Sequence, residues 1–402
     1  MSPIVEYDKT IYLDHAATTP LDPEVLAVMM PYFDGRYGNA SSMYASGRRS
    51  GQVLREARQA VAEILNALPE EIIFTGSGTE ADNMAILGVA RANRTAGDHI
   101  IISSIEHKAV TESAKKLERE GFSVSVLPVG RDGLVSVEAC LALITSRTTL
   151  VSVMYANNEI GTIEPIRELA DAVRKLRGAN PFPLFHTDAC QAAGALSLDV
   201  QELGVDLMSL NGSKIYGPKG VGALYKKRGV RIDPVIVGGE QEMSLRAGTE
   251  SVPLIVGFAE ALKRADDGRE GESRRLSVLR DYLIERLRKE IPGLVVNGHL
   301  EKRLPNNVHV SIPHVEGESM LLMLDTHGIE AGTGSACSAH DLKPSHVLAA
   351  IGQDADLMHG SVRFSLGKPS TREQMDRVME VFPEVVRYLT SISALTAITS
   401  KR

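Results

Sequence analysis

Cysteine is scarce: Cys140, Cys190 and Cys337 are the three in 402 residues. An odd number, spread far apart, excludes a disulfide framework and a cysteine-based metal cluster, so each thiol is judged alone and no metal is expected. No apolar run is long enough to span a bilayer. The opening MSPIVEYDKT has no basic stretch followed by an apolar one, so no secretory signal is expected. A dense basic stripe is also missing and the net charge is -7, which makes nucleic acid and acidic membrane surfaces poor partners. There is no internal repeat and no low-complexity segment. What is present, 43% hydrophobic and 24% charged residues, is an ordinary globular balance with length for two to three domains. Unpaired thiols fit a reducing cytoplasm.

Short apolar, β-branched runs alternate with helical patterns through the first two-thirds. Strands are predicted at 71–75, 99–103, 122–129, 149–155, 183–188 and 206–210, with helices over 79–92, about 108–120 and about 165–177. Such runs, bounded by turn residues and separated by helices, predict an α/β fold with a buried, mostly parallel sheet and right-handed crossovers. The texture changes after about residue 260. Residues 263–290 read as a densely charged, solvated connecting helix. Strands at 306–312 and 362–366, a helix at 316–324 and a last helix from Thr371 then suit a smaller α+β domain.

Three segments carry chemistry. GSGTEA (76–81) follows a strand and opens a helix, where glycines and the helix N-terminus suit a phosphate. A dinucleotide is disfavoured, because Asp98 comes before the next strand and Glu106 well after it. A plain tight turn is the alternative. HTDACQ (186–191) ends a strand with Asp188, either in a ligand crevice or as a helix cap. NGSKIYGPKGVG (211–222) sets Lys214 in a glycine-rich loop that can strip water from the amine. Singly each is ambiguous. Together a phosphate loop, an aspartate and a lysine, each after a strand, are what pyridoxal phosphate requires. His107, in the loop after 99–103, can cover the ring face or move protons.

Among the thiols, Cys140 lies in an amphipathic helix pattern and reads as core. Cys190 reads as structural, turned away from Asp188. Cys337 sits among small residues in AGTGSACSAHD (331–341), a composition suited to an exposed loop.

From YLDHAATTP (12–20) to VRFSLGK (362–368) the chain resembles the group I cysteine desulfurases of NifS and IscS type, within the class-V aminotransferase-like enzymes. EHKAV, NNEIG, SKIYGPKG, RAGT, GSAC and RFSLG carry the resemblance, in order. It implies the fold type I architecture of pyridoxal-phosphate transferases, with a large domain over 16–262 and a small one made of 1–15 and 263–402. Lys214 should hold the cofactor covalently, Asp188 should pair with the pyridine nitrogen, and Gln191 should bond the ring hydroxyl. His107 should stack on the ring. Asn158 should contact the ring oxygen or the substrate carboxylate. Gly78, Thr79, Asn211 and Ser213 should bind phosphate, joined by Thr249 from the other subunit of a homodimer. Arg363 should clamp the substrate carboxylate. Cys337 should accept sulfur from L-cysteine, leaving alanine, and pass it to acceptors such as an iron–sulfur scaffold or a sulfur carrier, for cluster assembly or tRNA thiolation.

The chain departs from the family pattern in places. Ser213 and Asn211 replace a usual histidine and serine, so weaker cofactor retention is expected. Glu240 stands where a third glycine is usual and should be strained if that position needs positive φ. Met243 replaces a common arginine, and Ala40 and Tyr44 replace a usual proline and histidine. The alternative activities are a selenocysteine lyase, an aminotransferase, or a partner-dependent sulfur-relay subunit.

Overall fold

A computed structural model describes residues 10–333 and 344–393. Its largest sheet has seven strands: β1 Ile72–Thr75, β2 His99–Ser103, β3 Ser123–Leu127, β4 Thr148–Ser152, β5 Leu184–Asp188, β6 Leu207–Asn211 and β7 Gly222–Lys226. Their spatial order is β1-β7-β6-β5-β4-β2-β3. All neighbouring pairs are parallel except those of β7, which runs antiparallel to both β1 and β6. Strands β1, β2, β4 and β5 are buried at every residue. That burial explains their unbroken apolar runs, since helices cover both faces of the sheet.

The predicted helix over 79–92 forms, but not as one regular element. It runs as Gly78–Asn83, a π-turn stretch Met84–Gly88, and Val89–Ala92. Such insertions cluster at functional sites, and this one directly follows the segment that reaches the cavity described below. The helix Lys108–Arg119 is capped by His107, whose side chain accepts from Ala109 N–H.

The charged segment 263–290 proves to be the second part of a 39-residue helix, Val252–Glu290. It is not merely solvated. Val252, Ile255, Phe258 and Leu262 pack into the core of the large sheet, whereas Leu276, Leu279, Leu283 and Leu287 pack into a second core. The second core also holds Leu13 and the strands β8 Val295–Val296, β9 Asn307–Ser311 and β10 Ser361–Ser365, ordered β10-β9-β8 and antiparallel. Ile11–Tyr12 pairs in parallel with Ile329–Glu330. The last helix, Arg372–Ile392, starts at a capping box between Thr371 and Gln374.

Candidate active site

In an open α/β sheet, loops at the carboxyl ends of parallel strands line the ligand crevice. Here Gly78 and Thr79 follow β1, His107 follows β2, Asn158 follows β4, Asp188 ends β5, and Asn211 and Lys214 close β6. All of them line one cavity of about 310 Å³, together with Cys190, Gln191 and Arg363.

Asp188 is held by its strand and by the turn after it. Its Oδ1 accepts from Cys190 N–H at 2.9 Å, and its residue partner across the sheet is Ser209 on β6. Lys214 occupies a tight turn, Gly212–Lys214, whose backbone is crowded enough to need glycine: a Cβ on Gly212 would lie 2.9 Å from Pro218 O. The ammonium donates to Ala16 O at 3.0 Å and to Ala17 O. Burial holds its pKa below the usual lysine range. His107 accepts on Nδ1 from Ala109 N–H at 3.1 Å, which places the proton of a neutral ring on Nε2. Burial lowers its pKa too, so the neutral ring is the favoured form.

Gly78 decides how close anything can come to the cradle. A Cβ there would lie 2.6 Å from Cys190 Sγ and 3.1 Å from Asn211 Cβ, so only a bare backbone fits at the start of this helix. Gln191 lines the cavity and donates from Nε2 to Ala16 O at 2.9 Å. Arg363, 2% exposed, pairs through Nη2 with Asp14 Oδ1 at 2.6 Å and donates from Nη1 to Asn158 O at 2.8 Å. Its Nε–H has no partner among the described residues. An amine, a facing carboxylate, an imidazole and a glycine-only helix start around one cavity of this size fit a phosphorylated pyridine aldehyde.

Some expectations fall elsewhere. The Ser213 hydroxyl donates to Asn211 Oδ1 at 3.3 Å and does not join the cavity wall. Thr249 is exposed and lies away from this chain's own cavity. Cys337 lies outside the described residues. Glu240 has no positive φ; the left-handed residues are instead Glu242, Met243 and Ser244, at φ 46°, 58° and 64°. Cys190, read as turned away, borders the cavity, and burial pushes its thiol pKa well up. Sequence reasoning missed Asp14, Asp82, Glu159 and His346. Asp82, Glu159 and His346 line the cavity and Asp14 stands just behind Arg363. It considered Glu106 only as a ribose ligand. Glu106 is fully buried, bonded to Ser103 Oγ and Met154 N–H, and burial raises its pKa to about 8. Asp98 pairs with Arg147.

The model of the class-V aminotransferase family matches residues 11–378. The chain belongs to that family. Among relatives, a protein of Methanosarcina thermophila named cysteine desulfurase IscS is 49% identical over 97% of this chain and 95% of its own length. Another of that name, from Dictyoglomus turgidum, is 46% identical over 96% of each. A solved NifS-like protein superposes with a TM-score of 0.88 at 36% identity, covering 94% of this chain and all of that one. This class-V chain therefore sits on the cysteine desulfurase branch and is a pyridoxal-phosphate enzyme of fold type I. No helix among its described residues is long and apolar enough to cross a membrane.

Proposed function

We propose that this class-V enzyme removes sulfur from L-cysteine, leaving alanine and a persulfide on Cys337. The observation that carries the reading is the buried amine of Lys214 opening on the same cavity as the Asp188 carboxylate. Pyridoxal phosphate, when bound, supplies an aldehyde for an amine and a ring that withdraws electrons from the substrate carbon.

The residues divide the remaining work. Lys214, with its proton held loosely by burial, is suited both to bond the aldehyde and to take a proton from the substrate α-carbon. Asp188 is placed to keep a pyridine nitrogen protonated, and Gln191 to bond the ring hydroxyl. His107 would stack on the ring, with its Nε2–H left to move a proton. Gly78, Thr79 and Asn211 would receive the phosphate, with Ser213 behind Asn211 and Thr249 offered to the partner subunit of a homodimer. Arg363 lines the cavity beside Asn158, where its guanidinium would meet a substrate carboxylate. Cys337 accepts the sulfur as a thiolate.

The two cores support a division into a large domain over 16–262 and a small one made of 1–15 and 263–402, with Arg363 brought to the large domain's cavity by β10. A persulfide is a carrier, so the product goes to a sulfur acceptor: a cluster scaffold or a sulfur-carrier protein. Incubation with pyridoxal phosphate and cysteine should yield alanine and a one-sulfur mass gain on intact protein. Cys337→Ser should abolish the mass gain. Amino transfer to an oxo acid that persists in Cys337→Ser, with no sulfur released by the native chain, would overturn the reading.

A further inference from the structure

Asp82 lines the cofactor cavity together with two other carboxyl residues, Asp188 and Glu159. It lies one helical turn beyond the Gly78 cradle, is 1% exposed, and lines the same space as Asp188. Its Oδ1 has no hydrogen-bond partner among the described residues. The nearest group of opposite potential is His186, whose Nε2 stands 3.8 Å from that oxygen. His186 is itself fully buried, and burial lowers its pKa to about 4, so it brings no charge. The other ionisable groups facing Asp82 are Asp188, Glu106 and the Cys190 thiol, none of them a cation.

A polar chain runs away from Asp82 under the sheet's carboxyl edge. Its carboxyl faces the Ser209 hydroxyl. Ser209 Oγ lies 3.0 Å from His186 Nε2, and His186 Nδ1 lies 2.9 Å from Ser152 Oγ. All four residues are buried. Hydrogens can be placed consistently in two directions: Asp82 O–H to Ser209, Ser209 O–H to His186 Nε2 and His186 Nδ1–H to Ser152, or the reverse, with Ser209 O–H donating to an ionised Asp82. The surroundings of Asp82 select the first, which puts a proton on it. An ionised Asp82, buried and with no cation paired to it among the described residues, would be stranded beside the Asp188 carboxylate. Burial, then the charge of Asp188, raises the Asp82 pKa well above the carboxylate range, in agreement. Ser209 is also the cross-strand partner of Asp188, so the chain passes beside the residue proposed to face the ring.

We propose that Asp82 is a positioning acid for Asp188: a neutral carboxyl that anchors the Ser209–His186–Ser152 chain and adds no second negative charge beside Asp188. This rests on Asp188 being the partner of the ring nitrogen. Nothing in the reaction consumes the Asp82 proton.

The test titrates apo-protein with pyridoxal phosphate, reading the dissociation constant and the pH midpoint of the visible band in Asp82→Ala, Asp82→Asn and Asp188→Asn. Leaving the chain without its anchor in Asp82→Ala should weaken binding by about tenfold and move the midpoint. Asp82→Asn, neutral and able to donate, should restore both to within about threefold. Infrared difference spectra at neutral pH should lose the carbonyl stretch of a protonated acid on Asp82→Asn. The inference is overturned if Asp82→Asn is as impaired as Asp82→Ala, if Asp82→Ala matches the native protein, or if no acid carbonyl is lost. An Asp188→Asn protein that keeps the native band would instead sink the ring-nitrogen reading itself.

Discussion

Arg363 Nη2 and Asp14 Oδ1 are 2.6 Å apart across 349 positions of sequence. The pair joins the stretch that follows Ile11–Tyr12 to strand β10 beside the cavity, and it fixes the plane of the guanidinium that lines that cavity among the described residues. Asp14→Asn should raise KM for cysteine about tenfold while kcat changes little, because a charge-assisted bond orienting the substrate clamp is lost. Steady-state kinetics decide it. An unchanged KM would show that Asp14 does not orient the clamp.

Gly78→Ala should abolish cofactor retention, since its Cβ would meet Cys190 Sγ at 2.6 Å. The double variant Gly78→Ala/Cys190→Ala removes that obstacle and should recover part of the binding. Asn211 Cβ, 3.1 Å from the same point, sets the remainder. Absorbance of protein purified with pyridoxal phosphate present is the readout.

Buried carboxyls give the apo-protein a pH dependence of known sign. Burial raises Glu106 to about 8, Glu159 to about 7 and Glu164 to about 8. A raised folded-state pKa contributes stability that is complete below the unfolded value and is lost as pH rises through the folded one. His15 and His186, both depressed to about 4, act oppositely, but their contribution is complete above about pH 6.5. The melting temperature should therefore fall between about pH 6.5 and 8.5. Glu106→Gln should flatten that fall, by an amount on the order of 2 kcal/mol. A rise in melting temperature over the same interval would contradict the assignment.

Glu242 takes both nitrogens of Arg58, at 2.6 and 2.8 Å, and also accepts from Phe74 N–H, while sitting in left-handed backbone with Met243 and Ser244. The ion pair stabilises a turn that its residues disfavour. Ser244→Gly should stabilise by about 1 kcal/mol by removing a side chain from that region. Glu242→Ala should cost about 3–5 kcal/mol by stranding the Arg58 charge. Denaturant midpoints measure both.

The strands were legible because parallel strands buried on both faces leave unbroken apolar runs, as in Ile72–Thr75 and His99–Ser103. Asp188 and Lys214 were legible because strand ends are where such sheets bind ligands. The helix Ala45–Leu65 went unread: it buries small residues such as Gly47, Ser50 and Ala57 beside Leu54 and Val61, so its stripe is faint in composition. Strand β7 hid behind a glycine-rich loop, and the lysine at its end, Lys226, blurs its pattern. Asp14 and Asp82 carry no local signal. Each acquires meaning from a partner placed by the fold, Arg363 for one and the β5–β6 edge for the other. Glu106 was weighed against the wrong ligand because spacing alone does not reveal that a carboxyl is dry.

The most direct test is reduction of the holo-protein with borohydride, followed by peptide mapping. The account predicts a phosphopyridoxyl group on the peptide holding Lys214 and its loss in Lys214→Ala. A group found on another lysine, or none on a yellow protein, would contradict it.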